Sequence, residues 1–175
     1  MKAIIYTSNA GSTAQYAQLL ADELHLPAYS AKEAKKKVPA HSEIIYLGWI
    51  MAGSVKGYAE AAKRYRVRAV CAVGMGQTGT QTDNTRKKSA ISADIPLFTL
   101  QGNFDVKKLH GVYRLMMEIM VKTAGKVLAE KKDRTPDEDD MLDMMRHGGE
   151  HWFHTEEQMQ FLNHWIRECT SKHAG

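Results

Sequence analysis

The stretch KAIIYTSNAGST, residues 2–13, decides the fold class of this chain. Its first half, residues 2–7, is a short apolar run of the kind found in strands buried on both faces of a parallel sheet. A turn that contains Gly11 follows, and residues 13–25 then carry apolar side chains at helical spacing. These side chains are Tyr16, Ala17, Leu20, Ala21 and Leu24. The stretch therefore predicts a strand, a tight loop and a helix that packs against a sheet.

The same alternation of strand and helix continues along the chain. Apolar runs at residues 43–48, 67–73 and 96–100 predict three more strands, and residues 26–30 predict a weak one. Because crossover connections make neighbouring strands parallel, the sequence predicts an α/β fold with a doubly wound, parallel, five-stranded sheet.

The connections between these strands differ in character. Residues 32–37 are predicted to be a polar connection, which Pro39 ends. A short helix is predicted to start near Gly57 or Tyr58. Residues 74–92 lack apolar periodicity, so any helix there is predicted to lie loosely on the surface.

The last third of the chain predicts an extended helical C-terminal region of the same single domain. Residues 106–130 predict a long methionine-rich helix whose apolar face is mostly core, or alternatively an adaptable contact surface for a partner. Residues 133–153 predict an acidic, glycine-containing connection, with a linker or a frayed helix start after Pro136. Thr155 and Gln158 predict a capping box for a terminal helix.

Composition and cysteine usage narrow the class of protein. The chain is 43% hydrophobic and 25% charged, which is typical of a globular domain. Cys71 and Cys169 form no C-x-x-C pair and are predicted to be reduced, structural thiols. Because charged residues interrupt the apolar stretch at 109–128, and the first apolar run is too short for a secretory signal, we expect a cytoplasmic protein without a transmembrane segment. Peripheral contact with a membrane stays open.

The charge is unevenly distributed along the chain. Residues 1–132 contain 20 basic and 10 acidic side chains, whereas residues 133–175 contain 4 and 10. One interpretation is that the basic and the acidic part of the chain form surfaces that face each other or solvent. The alternative is that the basic surface steers an anionic partner or substrate. The basic clusters carry no nucleic-acid motif and no aromatic stacking platform, so no nucleic-acid partner is expected.

The loop after the first strand consists of small and mostly polar residues: Ser8, Asn9, Ala10, Gly11, Ser12 and Thr13. A helix N-terminus presents backbone N–H groups and the positive end of its dipole, so this loop could wrap a phosphate without lysine or arginine. It is not a Walker sequence, which disfavours nucleoside triphosphate hydrolysis. An ordinary turn with Ser12 or Thr13 as the N-cap fits the spacing equally well.

Residues 6–13 are similar to the phosphate loop of the flavodoxin family, and the chain most resembles the flavodoxin-domain group that includes menaquinone-dependent protoporphyrinogen dehydrogenase. The likeness extends through residues 44–53, 73–76 and 98–109. It implies a flavodoxin-like domain in which Ser8 to Thr13 hold the phosphate of FMN. The flavin ring would lie between two further segments, Trp49, Ile50, Met51, Ala52 and Gly53 on one side and Gly76, Gln77, Thr78 and Gly79 on the other. Trp49 is the implied stacking residue, and Gly53 would let the backbone approach the ring.

The resemblance also implies an activity. It implies an FMN-dependent oxidoreductase whose flavin passes electrons to a quinone, a porphyrinogen-related substrate or a protein partner, with no side chain required as acid or base. Two alternatives stay open: an electron carrier without its own substrate, and a flavin-free binding domain on the same fold. Ala10 and the Gly76 loop, which lacks acidic and aromatic residues, depart from the family pattern. The basic body departs from the acidic surface of typical carriers and favours an enzyme-like member.

Two other motifs are weaker. Residues 74–79, GMGQTG, match a dinucleotide fingerprint, but no apolar helix face follows and the next strand does not end in an acidic residue, which disfavours NAD. His147, Glu150 and His151 match a zinc-peptidase pattern. Gly148 and Gly149 oppose the helix that such a site requires, so we expect a turn without a metal.

Overall fold

Five parallel strands form the central sheet of the structure, a computed structural model that describes residues 1–76, 78–102, 119, 122–123, 125–135, 138–139 and 142. The strands are β1 (Ala3–Thr7), β2 (Ala28–Ser30), β3 (Glu43–Met51), β5 (Arg66–Gly74) and β6 (Leu97–Gln101). A two-residue strand, β4 (Ser54–Val55), pairs antiparallel with β3. The spatial order is β2-β1-β3-β5-β6. With β4 set aside, this is the flavodoxin-like order, which confirms the predicted fold class.

Helices cover both faces of the sheet, because the parallel strands are apolar on both faces. On one face, α1 (Ser12–Leu24) packs Tyr16 and Leu20 against Ile4, Leu47 and Leu100. On the other face lie α2 (Ala31–Lys37) and α3 (Tyr58–Arg64), together with Ile91, which follows α4 (Thr82–Ser89). Two apolar layers therefore enclose the sheet.

One predicted connection is a helix. Residues 32–37 form most of α2 rather than a polar connection. Ser30 is the N-cap of this helix: its Oγ accepts a hydrogen bond from the Glu33 amide, and the Glu33 carboxylate accepts one from the Ser30 amide. This capping box satisfies two orphan donors, and Ala34 is fully buried, so capping and one apolar contact outweigh the polar composition.

A loop covers the outer edge of β6, which is the edge that faces away from β5. The Gly79 amide donates to the Thr99 carbonyl at 2.9 Å, and the Gln101 amide donates to Thr78 Oγ1 at 3.1 Å. The Thr99 hydroxyl donates to the Thr80 carbonyl. The loop therefore satisfies two outward-facing backbone groups of the last strand, the Thr99 carbonyl and the Gln101 amide. The helix that follows it, α4, buries only Thr85, so it is a surface helix as predicted. It is not loosely held, because its last turn is hydrogen-bonded to Ala52, Ser54 and Val55.

The C-terminal predictions are only partly within the described residues. Residues 119, 122–123 and 125–130 are helical, as predicted, but the Val127 side chain is 69% exposed and does not belong to the core. Glu138 and Asp139 are helical, and Thr135 forms a capping box with Glu138. Glu138 forms an ion pair with Lys131, and Asp139 forms one with Arg134. The motif at His147 to His151 and the capping box at Thr155 lie outside the described residues.

Within the described part of the chain, none of the helices is both long and apolar enough to cross a bilayer.

Candidate functional site

The candidate site lies at the carboxyl edge of the sheet, where the chain changes direction between β1 and β3. The connection from β1 leads by α1 to β2, whereas β3 lies on the opposite side of β1. Such a point leaves a crevice outside the strand ends, because the two neighbouring loops diverge. Thr7 pairs with Gly48 in the last register of β1 and β3. Ser8 and Trp49, one residue further on, therefore flank this crevice.

The loop after β1 contains polar atoms that are buried without a partner. Ser8 Oγ and Asn9 Nδ2 are inaccessible to solvent, and neither has a hydrogen-bond partner among the residues that the structure describes. Such atoms are rare in folded proteins because leaving a buried donor unpaired costs about 1–3 kcal/mol. Two such atoms in adjacent residues of one loop leave hydrogen-bonding capacity there that none of the described residues uses.

Gly11 controls how this loop enters α1. Its φ is 103°, a value that residues other than glycine rarely adopt. Apart from its chain neighbours, no atom of the described residues lies within 4 Å of an ideal Cβ at this position. Gly11 is itself the N-cap, so the alternative with Ser12 or Thr13 as the cap is wrong. The first helical bond runs from the Gln15 amide to the Gly11 carbonyl. The amides of Thr13 and Ala14 therefore precede the helical ladder and point out of the N-terminus.

The hydroxyl residues at the start of α1 are less accessible than the sequence suggested. Ser12 is 5% exposed and Thr13 is 2% exposed, so their side chains are part of the packed first turn. An ideal Cβ at Gly102, just after β6, would lie 3.5 Å from Ser12 Cβ. What this turn offers a ligand is backbone N–H groups, whereas Ser8 and Asn9 offer side chains.

The segment from Trp49 to Gly53 is a hairpin and not a loop. β3 continues through Trp49, Ile50 and Met51, and only Ala52 and Gly53 form the turn into β4. Both turn residues have positive φ, 51° and 81°, as a tight type I′ hairpin requires. Trp49 pairs with Val73 and is half-buried, on the face of the sheet that carries Leu47 and α1. Its backbone therefore lies at the carboxyl edge, one residue beyond the last pair of β1 and β3, Thr7 and Gly48.

The glycine-rich segment after β5 divides into two parts. Gly74 packs against the hairpin, where an ideal Cβ would lie 2.9 Å from Ile50 Cδ1. Gly76 lies against Gln81 and Thr80. Thr78 and Gly79 are bound to the outer edge of β6, and Gln77 lies outside the described residues. Gly74 is therefore the part of this segment that the structure places against the Trp49 hairpin.

Gln101 is a residue that sequence reasoning did not identify. It ends β6 at the same edge of the sheet, and its Nε2 is buried with no partner in the described structure. The Tyr16 hydroxyl donates to the Gln101 carbonyl at 2.7 Å, which ties this strand end to α1. Burial raises the pKa of Tyr16 well above its usual range, so the phenol stays a neutral donor. No local sequence signal marks such a residue, because its environment comes from β5, α1 and the Thr78 loop.

A hydrogen-bonded network supports the strand ends beneath the site. The Tyr46 hydroxyl donates to the Lys56 carbonyl at 2.7 Å and lies 2.7 Å from Thr7 Oγ1. Burial raises the pKa of Tyr46 to about 12, so this network keeps its proton at physiological pH. Gly57, with φ of 78°, passes so close that an ideal Cβ would lie 2.3 Å from the Tyr46 oxygen. The network therefore fixes the residue immediately before Ser8.

Many exposed basic side chains lie at the other end of the sheet. Lys35, Lys36 and Lys63 end α2 and α3, and Arg66 begins β5. The Arg64 guanidinium donates to the Lys35 carbonyl at 3.0 Å, which joins the two helix ends. Because these residues lie at the amino edge, they do not line the crevice at the carboxyl edge.

Comparison of this chain with protein families, curated proteins and solved structures finds no match.

Proposed function

We propose that the chain binds FMN at the carboxyl edge of its sheet and acts as an FMN-dependent oxidoreductase. The observation that carries this proposal is that Ser8 Oγ and Asn9 Nδ2 are buried without a partner among the described residues, in a loop that ends at a helix N-terminus. A phosphoester is doubly charged and rich in acceptor oxygens, so it satisfies both side chains and the Thr13 and Ala14 amides together.

The rest of the crevice suits the ring of a flavin. Trp49 supplies an aromatic face beside the phosphate loop, and Gly74 allows the β5 end to pack closely on the hairpin. FMN supplies the electron transfer when it is bound. The chain supplies orientation, hydrogen bonds and partial exclusion of water. Both buried phenols near the edge, Tyr16 and Tyr46, have raised pKa values, which agrees with a site in which no phenol serves as a base.

In this proposal the electron acceptor is a small redox substrate or a protein partner, and it approaches the flavin at the carboxyl edge. The basic side chains lie at the amino edge, at the opposite end of the strands from the crevice. They therefore do not guide an anion into the crevice, and an anionic partner that they attract would bind elsewhere on the protein. An electron carrier would show transfer rates to its partner that fall with salt, because screening weakens a charged encounter.

The direct test is a thermal-shift experiment with FMN and riboflavin. At a concentration one hundred times the dissociation constant, FMN is expected to stabilise the protein by about 2.7 kcal/mol, or roughly 8 °C for a chain of this size. Riboflavin lacks only the phosphate and is expected to give a much smaller shift. A colourless protein that responds to neither compound would refute the proposal and leave the flavin-free domain.

The Ser8→Ala variant separates binding from folding. We expect the free energy of unfolding of the ligand-free protein to stay equal or to rise by up to about 1 kcal/mol, because an unpaired buried hydroxyl is removed. FMN affinity is expected to fall about tenfold or more, since a hydrogen bond to a charged group is lost. Isothermal titration and urea denaturation measure the two quantities.

Ser30→Ala is the matched control for that experiment. The Ser30 hydroxyl is part of a complete capping box, so its removal is expected to cost about 1 kcal/mol of stability and to leave FMN affinity unchanged. If Ser8→Ala instead lost stability and kept its affinity, Ser8 would have a structural role only.

A further inference from the structure

The hairpin that carries Trp49 is bound to α4 by a lysine. Lys88 Nζ donates to the Ala52 carbonyl at 3.1 Å, at the first position of the turn. The stem of the same side chain lies across the second position, where an ideal Cβ at Gly53 would lie 2.6 Å from Lys88 Cδ. Glycine at position 53 therefore leaves room for the lysine stem, in addition to permitting the φ of the turn.

Three further contacts join the same two elements. Ser54 Oγ donates to the Lys88 carbonyl at 3.2 Å, and the Val55 amide donates to Ser89 Oγ at 2.8 Å. An ideal Cβ at Gly53 would also lie 3.2 Å from Asn84 Nδ2. The last turn of α4 thus contacts every residue from Ala52 to Val55.

The turn needs such support because its conformation is unfavourable for its sequence. Ala52 has φ of 51°, in the left-handed region, where a Cβ lies too close to the following carbonyl oxygen. Strained backbone persists only when surrounding contacts determine it, and it concentrates at functional positions. Holding a lysine in one conformation also costs side-chain entropy. The hydrogen bond from Lys88 to the Ala52 carbonyl therefore supports the turn at its strained position.

We propose that Lys88 is a positioning residue for the flavin-ring side of the site, acting through the Ala52 turn to fix β3 and the Trp49 indole. This inference rests on the proposed function. Lys88 is exposed and belongs to α4, and none of its contacts with the described residues reaches the loop after β1, so it acts on the ring side and not on the phosphate side. The competing explanation is that Lys88 only interacts with the negative end of the α4 dipole, as any basic residue in the last turn does. Lys87 lies in the same turn and would have the same effect.

The test compares Lys88→Met, Lys88→Arg and Lys87→Met in the full-length protein. Methionine keeps an apolar stem over Gly53 and removes the ammonium, whereas arginine keeps a cationic donor. Hydrogen exchange of the ligand-free protein reports on the hairpin amides, including that of Lys56, which donates to the Trp49 carbonyl at 3.0 Å. We expect Lys88→Met to raise exchange across residues 50–56 about threefold to tenfold, as for one lost hydrogen bond, with no change in β1.

FMN binding completes the test. Lys88→Met is expected to weaken FMN about threefold to tenfold, Lys88→Arg to restore most of the affinity, and Lys87→Met to match the original protein in both measurements. Unchanged hairpin exchange in Lys88→Met would overturn the inference, and so would faster exchange with unaltered FMN affinity. If the original protein binds no FMN, the proposed function fails, and the inference about the flavin site fails with it; the exchange data would then show only whether Lys88 holds the turn.

Discussion

Gly11→Asp is expected to lose FMN binding by at least about a hundredfold while the sheet still folds. The new carboxylate would lie at the N-cap of α1, where the proposed phosphate is held. Two like charges about 4 Å apart repel by roughly 1 kcal/mol in water and about 4 kcal/mol near a protein surface, and a hundredfold loss needs only about 2.7 kcal/mol. Equilibrium titration of FMN fluorescence measures the change.

Gly11→Asn is the matched control for the charge. Asparagine has nearly the same shape, and it suffers the same backbone strain at a φ of 103°, which costs about 1–3 kcal/mol. Both variants should therefore lose similar stability in urea, while only the aspartate adds repulsion. Equal FMN affinities in the two variants would place the phosphate away from Gly11.

Gly57→Ala is expected to destabilise the protein by about 3 kcal/mol, the largest loss of stability that we predict. The left-handed backbone contributes about 1–2 kcal/mol and the overpacking contributes a further 1–3 kcal/mol. The clash has no easy relief, because the ideal Cβ would lie 2.3 Å from the Tyr46 oxygen and 2.6 Å from Thr7 Oγ1. The midpoint of urea denaturation measures the loss, provided that the dependence of the free energy of unfolding on urea concentration keeps the same slope.

Gly79→Ala isolates the steric part of that effect. Gly79 has a similar φ of 86°, but its Cβ direction is open for at least 4 Å among the described residues outside its neighbours. It should therefore lose only about 1–2 kcal/mol. If both variants lost the same amount, the network of Tyr46 and Thr7 would be able to move aside, and it would not fix the strand ends.

The sheet and its first helix follow from sequence because their signals are local. The apolar run of β1 and the helical spacing of Tyr16 and Leu20 require no knowledge of distant residues. The α2 helix could also have been predicted, since Ser30 and Glu33 have the spacing of a capping box. Its four lysines and single buried residue, Ala34, concealed it from a search for apolar periodicity.

Other parts of the site depend on contacts between distant residues. The turn at Ala52 and Gly53 lacks the asparagine or aspartate that usually marks a two-residue hairpin, and Lys88 supplies its support from 36 positions away. Thr78 binds the Gln101 amide 23 positions away, which draws Thr78 and Gly79 toward β6. The unpartnered Gln101 side chain likewise has no local signature. Sequence patterns predicted a phosphate loop at residues 8–13 but could not show which of its polar atoms are buried.

The loop that runs along β6 also affects how this protein behaves at high concentration. An uncovered outer strand is a template on which a second molecule can add its own strand, and that is a common route to fibrils and to unwanted dimers. Here the Thr99 carbonyl and the Gln101 amide are already bonded within the chain, and the opposite boundary, β2, has only three residues. Self-association by strand addition is therefore disfavoured at both ends of the sheet.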